Sequence, residues 1–153
     1  MKIVSGIAAS LVAMSILVAA PASAGEMGQS EKLRRLDIML MVTGLRCRTG
    51  ADNFQADYGR FTTNHIAALN AASRSLKADM AHKYGAAGAN RALDRFSTTM
   101  ANEYGNGHPW LSCGDLKMVA RNLAAARGTA PLVAAADQLL AEEGSPQVAW
   151  ARR

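Results

Sequence analysis

The stretch GNGHPWLSCGDL, residues 105 to 116, sets His108 five positions ahead of Cys113, among glycines and beside Trp110. Two chemistries use such a pairing. A cysteine near a helix N-terminus has a lowered thiol pKa, and a nearby histidine can act as its base, which makes a nucleophile. The same position suits one end of a disulfide, and a paired sulfur cannot attack. Cys47 and Cys113 are the only cysteines in the chain, and an even count in an exported protein favours the crosslink. The expectation is a Cys47–Cys113 disulfide, not a Cys/His reaction centre.

Export is read from the N-terminus. Lys2 is positive, Ile3 to Ala20 is apolar apart from Ser5, Gly6, Ser10 and Ser15, and Pro21 precedes Ala22-Ser23-Ala24. A positive start, an apolar stretch and a small-x-small end make a cleavable signal peptide. Residues 1–24 are therefore expected to be removed, leaving residues 25–153. Beyond Gly25 apolar runs are short, as at Ile38 to Val42, far below the ~20 residues that span a bilayer. The expected setting is a periplasm or the cell exterior, with no transmembrane segment after cleavage.

The mature length suits one domain with a single core. Alanine is abundant, β-branched runs are absent, and Gly or Pro clusters fall between periodic segments, all of which reads as helix. Five helices are expected. Ser30 caps the first, which runs to about Arg48 with Leu33, Leu36, Leu40, Thr43, Gly44 and Cys47 on one stripe. Asp52 or Asn53 caps a long second helix reaching about Tyr84. Its stripe is Phe54, Tyr58, Phe61, His65, Leu69, Ala72 and Leu76, and Gly85 ends it. The third, about Ala86 to Glu103, turns Ala89, Leu93, Phe96, Met100 and Tyr104 inward.

Ser112 caps the fourth helix, with Asp115 three residues on in the manner of a capping box. Leu116, Val119, Ala120 and Leu123 face inward, and Gly128 stops it. Thr129 and Pro131 begin the fifth, whose inner residues are Leu132, Ala135, Ala136 and Leu139. Gly144 is its expected end, and residues 145–153, with Trp150, read as a tail.

Short connections make consecutive helices antiparallel neighbours, so the predicted fold is an all-α up-down bundle of about five helices with one disulfide. That topology supports the crosslink independently. It puts the end of the first helix and the start of the fourth at the same end of the bundle, although Cys47 and Cys113 are 66 residues apart. It also gathers loops 48–53 and 104–112, so that Arg46, Arg48, Asp52, Asn53, Asn106, His108 and Trp110 form a candidate binding surface. Arginine and tryptophan are typical of binding hot spots, and loops on a rigid scaffold often carry function. The plainer reading is that Trp110 covers the disulfide and the bundle top.

Other residues read as structure before chemistry. His65, between Phe61 and Leu69, is expected to be buried and hydrogen-bonded to Tyr58 or another core polar group. No His-x-x-x-His or Cys-x-x-Cys pairing occurs, so neither a metal site nor a cofactor is expected. Met39 and Met41 lie about 200° apart on a helix and cannot chelate one ion together; core filling explains them better. Asp52 and Asp115 sit where caps and first-turn acids belong. The Gly85-Ala86-Ala87-Gly88 stretch opens a helix with no acidic residue in its first turn, a weak hint of an anion site. Without Lys2 the 17 basic residues become 16 against 12 acidic, a formal +4. That charge is spread along the chain, densest at Lys32-Arg34-Arg35 and Arg46-Arg48, which is no nucleic-acid stripe. Another periplasmic protein or an anionic surface is the expected kind of partner.

The strings LRCRTGADNFQADYGRF (45–61) and GNGHPWLSCGDL (105–116) resemble those of small exported helical proteins of uncharacterised role from alphaproteobacteria, over most of the mature chain. The resemblance implies an exported helical domain and carries over no catalytic residue. Some such proteins bear an S-adenosylhomocysteine hydrolase label. That enzyme is several times longer and similar in fold to NAD-dependent dehydrogenases, with a Gly-x-Gly-x-x-Gly turn after a strand, and this chain has neither strand nor motif. The leading expectation is a non-catalytic binding, interaction or stress-related module. A small hydrolase using His108 with Arg46 or Arg48 is the alternative, and a haem or metal carrier comes third.

Overall fold

The computed structural model describes residues 28–140. The expected signal peptide, Gly144 stop and tail lie outside the described residues. The described chain forms six α-helices: α1 (Gln29–Arg46), α2 (Gln55–Asn64), α3 (Ile66–Tyr84), α4 (Ala86–Tyr104), α5 (Cys113–Ala125) and α6 (Ala130–Leu139). A 3-10 turn, Cys47–Thr49, follows α1. The all-α bundle with one disulfide is as the sequence predicts.

α1 is the hub. Leu33, Leu36, Ile38, Met39, Leu40, Thr43 and Gly44 are all buried, and α2 to α6 each pack against it. The cause is the five-residue apolar run Ile38 to Val42, which covers more than one face of a helix and so needs neighbours on several sides. Thr43 avoids an unpaired buried hydroxyl by donating to the Met39 carbonyl at 2.7 Å. Met39 fills the core as expected. Met41, on the opposite side of the helix, is 39% exposed instead.

Around the hub, α3 and α4 form a hairpin on one side, α5 packs on α2, and α6 packs on α1. A single residue makes the hairpin turn. Gly85 ends α3 and precedes α4 with φ 77° and ψ 160°, a region open essentially to glycine alone. A Cβ there would meet no atom within 4 Å, so Gly85→Ala tests the backbone by itself. It should lower stability in urea unfolding by about 1–3 kcal/mol; an unchanged midpoint would contradict that account.

Four expectations about element ends need correction. The long second helix is two helices, because His65 leaves helical geometry at φ −113° and ψ 14°. The hydrogen bonding nearly bridges the break: the His65 N–H donates to Phe61 and the Leu69 N–H to His65. The break puts Asn64 and His65 on the last carbonyls of α5, at Ala124 (2.8 Å) and Leu123 (2.7 Å). Terminal helix carbonyls lack intrahelical donors, and α5 has these side chains in place of a glycine cap. His65 is thus buried and hydrogen-bonded as expected, its partner being the Leu123 carbonyl rather than Tyr58. Gly28, not Ser30, precedes α1, and no side chain caps it. Phe54, not Asp52 or Asn53, is the N-cap of α2 and no side chain caps that helix, although Asn53 accepts the Gln55 N–H at 3.0 Å. Finally, α6 stops at Leu139, with Leu140 extended. The Ser112–Asp115 capping box forms as predicted.

Candidate functional site

The disulfide end is the first place to look. Cys47 and Cys113 are joined, their Cα atoms 5.8 Å apart, so the Cys113 sulfur is no nucleophile. The candidate residues do gather there, but most are committed to the scaffold. Arg46 crosses Gly107, where a Cβ would lie 3.1 Å from its Nε; φ of 107° at that residue also calls for glycine. Asn53 donates to the Arg48 carbonyl at 2.9 Å. The Asp52 carboxylate lies over Gly114, 3.4 Å from where a Cβ would stand. Asn106 is exposed. Arg46 and Arg48 edge an open basin of about 420 Å³ with Val42, Leu45, Thr49 and Gly105.

His108 is the decisive residue at this end. Its Nδ1 accepts the backbone N–H groups of Trp110 (3.4 Å) and Leu111 (3.3 Å). The ring proton therefore sits on Nε2, which donates to the Leu139 carbonyl at 2.9 Å. The ring stacks on Tyr104 and meets Trp110 edge-on at 4.5 Å. Both nitrogens are consumed in pinning the 105–112 loop to the end of α6. His65 and His108 do the same job, each closing the C-terminus of a distant helix.

Burial holds the His108 imidazole below its ordinary pKa, outweighing the Leu139 carbonyl, which favours the charged form. The unfolded chain therefore takes up a proton near pH 6.5 while the folded protein does not. Fewer protons bound in the folded state means stability falls as pH drops below about 7. The melting temperature should decline between pH 7 and about pH 5, and less steeply in His108→Gln. Equal slopes in the two proteins would contradict this assignment.

Two polar clusters were not legible as sites. Asp37 accepts the Tyr58 hydroxyl at 2.9 Å and Arg34 at 3.2 Å. Burial raises the Asp37 carboxyl pKa against those hydrogen bonds, and burial together with the Asp37 charge pushes the Tyr58 hydroxyl up. Buried Asp57 is held by Arg60 and by Arg121, whose Nε lies 3.5 Å away. Both clusters join helices, Asp37 of α1 to Tyr58 of α2 and Asp57 of α2 to Arg121 of α5.

A larger cleft lies along the α3–α4 hairpin. It encloses about 470 Å³ between Met80 and Tyr84 of α3, Arg91, Arg95 and Phe96 of α4, and Arg35 of α1. Arg35 is fixed as a wall: its guanidinium lies 5.2 Å from the Phe96 ring centroid, and it bonds Glu31 (2.9 Å) and the Met100 sulfur (3.2 Å). Arg91 and Arg95 differ. They are exposed, one helical turn apart, and among the described residues neither has a carboxylate partner. The only advance signal was the acid-free opening of this helix at Gly85 to Gly88. Among the described residues no cluster of three or more His, Cys, Asp or Glu side chains is placed to hold a metal ion.

No protein family matches this chain, and no curated protein or solved structure shows significant similarity to it.

Proposed function

We propose that this chain is an exported, non-catalytic binding module, working in a periplasm or outside the cell, and that its ligand site is the α3–α4 cleft. The observation that carries this reading is the cleft. Its volume of about 470 Å³ falls within the roughly 300–1,000 Å³ of small-molecule sites, and it combines an apolar floor with a few charged groups, as such sites do. The disulfide end reads instead as a clamp. Hydrolysis there would need a free imidazole nitrogen, and His108 spends both on backbone groups. Export is supported by the disulfide and by the signal-like N-terminus.

Mapping amide shifts of the mature protein against a chemically varied pool of small molecules tests the reading. Shifts should cluster at Tyr84, Gly88, Arg91 and Phe96, with the pool recovered unaltered. Shifts confined to Arg46–Thr49 and Asn106–Trp110, or turnover of any component, would overturn it.

A further inference from the structure

We infer that the α3–α4 cleft takes a small amphiphile, an acyl or aryl body ending in one anionic group, carboxylate or phosphate, held by Arg91 and Arg95. This rests on the cleft being the ligand site.

Charge comes first. Arg91 and Arg95 stand at i and i+4 on one helix face, where like charges repel, and no side chain lining the cleft is acidic. An anion between the two guanidiniums would relieve that repulsion with charge-assisted hydrogen bonds. The start of α4 adds to the same field. Gly85 has no side chain to cap the helix, and the first turn holds no acidic residue. The Gly88 and Ala89 N–H groups both turn back to the Gly85 carbonyl, at 3.1 and 3.0 Å, whereas the Ala86 and Ala87 amides precede the first intrahelical bond. Such amides and the helix dipole favour a negative group, and Ala87 lines the cleft.

The rest of the cleft sets the body of the ligand. Met80, Phe96 and Met100 give it an apolar, adaptable floor. Arg35 stays paired with Glu31, so it walls the floor without competing for the head group. A cation would find no carboxylate here, and a neutral apolar molecule would gain nothing from the two guanidiniums.

Calorimetric titration of the mature protein with decanoate, decyl phosphate, decanol, decyltrimethylammonium and acetate tests this, each kept below its micelle concentration. Decanoate and decyl phosphate should bind, and the tighter of the two identifies the head group. Decanol should bind at least about tenfold more weakly, the consequence of losing charge-assisted hydrogen bonds. Decyltrimethylammonium and acetate should not bind. Arg91→Gln and Arg95→Gln should each weaken decanoate about tenfold with an unchanged melting temperature, since both side chains are exposed. Decanol or the cation binding as tightly as decanoate, or a double variant that binds like the parent, would overturn the anionic head alone. Silence from every amphiphile would overturn the cleft as a ligand site as well, as would cleft shifts that appear on concentrating the protein without ligand, which would mark a second copy as the occupant.

Discussion

Replacing Cys47 and Cys113 together by serine lowers stability by about 4 kcal/mol and the melting temperature by roughly 10–20 °C. The crosslink closes a separation of 66 residues, and in chain-entropy terms most of its effect is to restrict the unfolded chain. The architecture concentrates that effect. α5 is held mainly by α2, and the loop leading into it is pinned through His108 to α6. Without the disulfide, the start of α5 still has its Ser112–Asp115 capping box, the Lys117 bond to the Ala51 carbonyl at 3.3 Å and the burial of Leu116, but no covalent tie to α1. Thermal melts with and without reductant, beside the double variant, measure the difference. Coincident curves would show that the bond contributes nothing, and two reactive thiols in denatured, unreduced protein would show that it is not formed.

Phe54→Ala should cost about 3–5 kcal/mol. Phe54 is wholly buried, and its ring lies against Gly44 of α1, 3.4 to 3.8 Å from where a Cβ would stand. Glycine at position 44 thus makes room for this ring, which joins the turn after α1 to the start of α2. Because the disulfide holds Cys47 a few residues away, the gap left by alanine cannot close by collapse, so the cost belongs at the upper end for cavity formation. Urea unfolding at constant m-value gives the number. Phe54→Leu should lose clearly less, and a loss under about 1 kcal/mol for alanine would mean the site repacks.

What the sequence disclosed was local or topological. The stripes on α1 and α4, the Ser112–Asp115 box, the stop at Gly85 and the disulfide follow from periodicity, cap chemistry and the parity of two cysteines, whereas α5 ends at Ala125, short of the Gly128 expected to stop it. The break at His65 did not show, because Phe61, His65 and Leu69 keep helical spacing straight through it. Its partners on Leu123 and Ala124 belong to a helix some 60 residues on. α6 ends at Leu139 with no glycine or proline to mark it. Hydrogen bonds decide whether a polar loop residue at the disulfide end is free to bind, and Asn53 and His108 are not. The cleft was missed for a related reason. Arg35, Met80 and Arg91 come from three helices, and only the register of the α3–α4 hairpin against α1 puts them around one space.

That cleft is the centre of the account, and the methyl groups of methionine report on it directly. Intermolecular NOEs from decanoate to protein carrying 13C-methyl methionine should reach Met80 and Met100, which line the cleft. They should be absent at Met41 and Met118, which are 39% and 64% exposed elsewhere on the surface. NOEs to Met41 or Met118 with none to Met80 and Met100 would place the ligand outside the cleft and contradict the account.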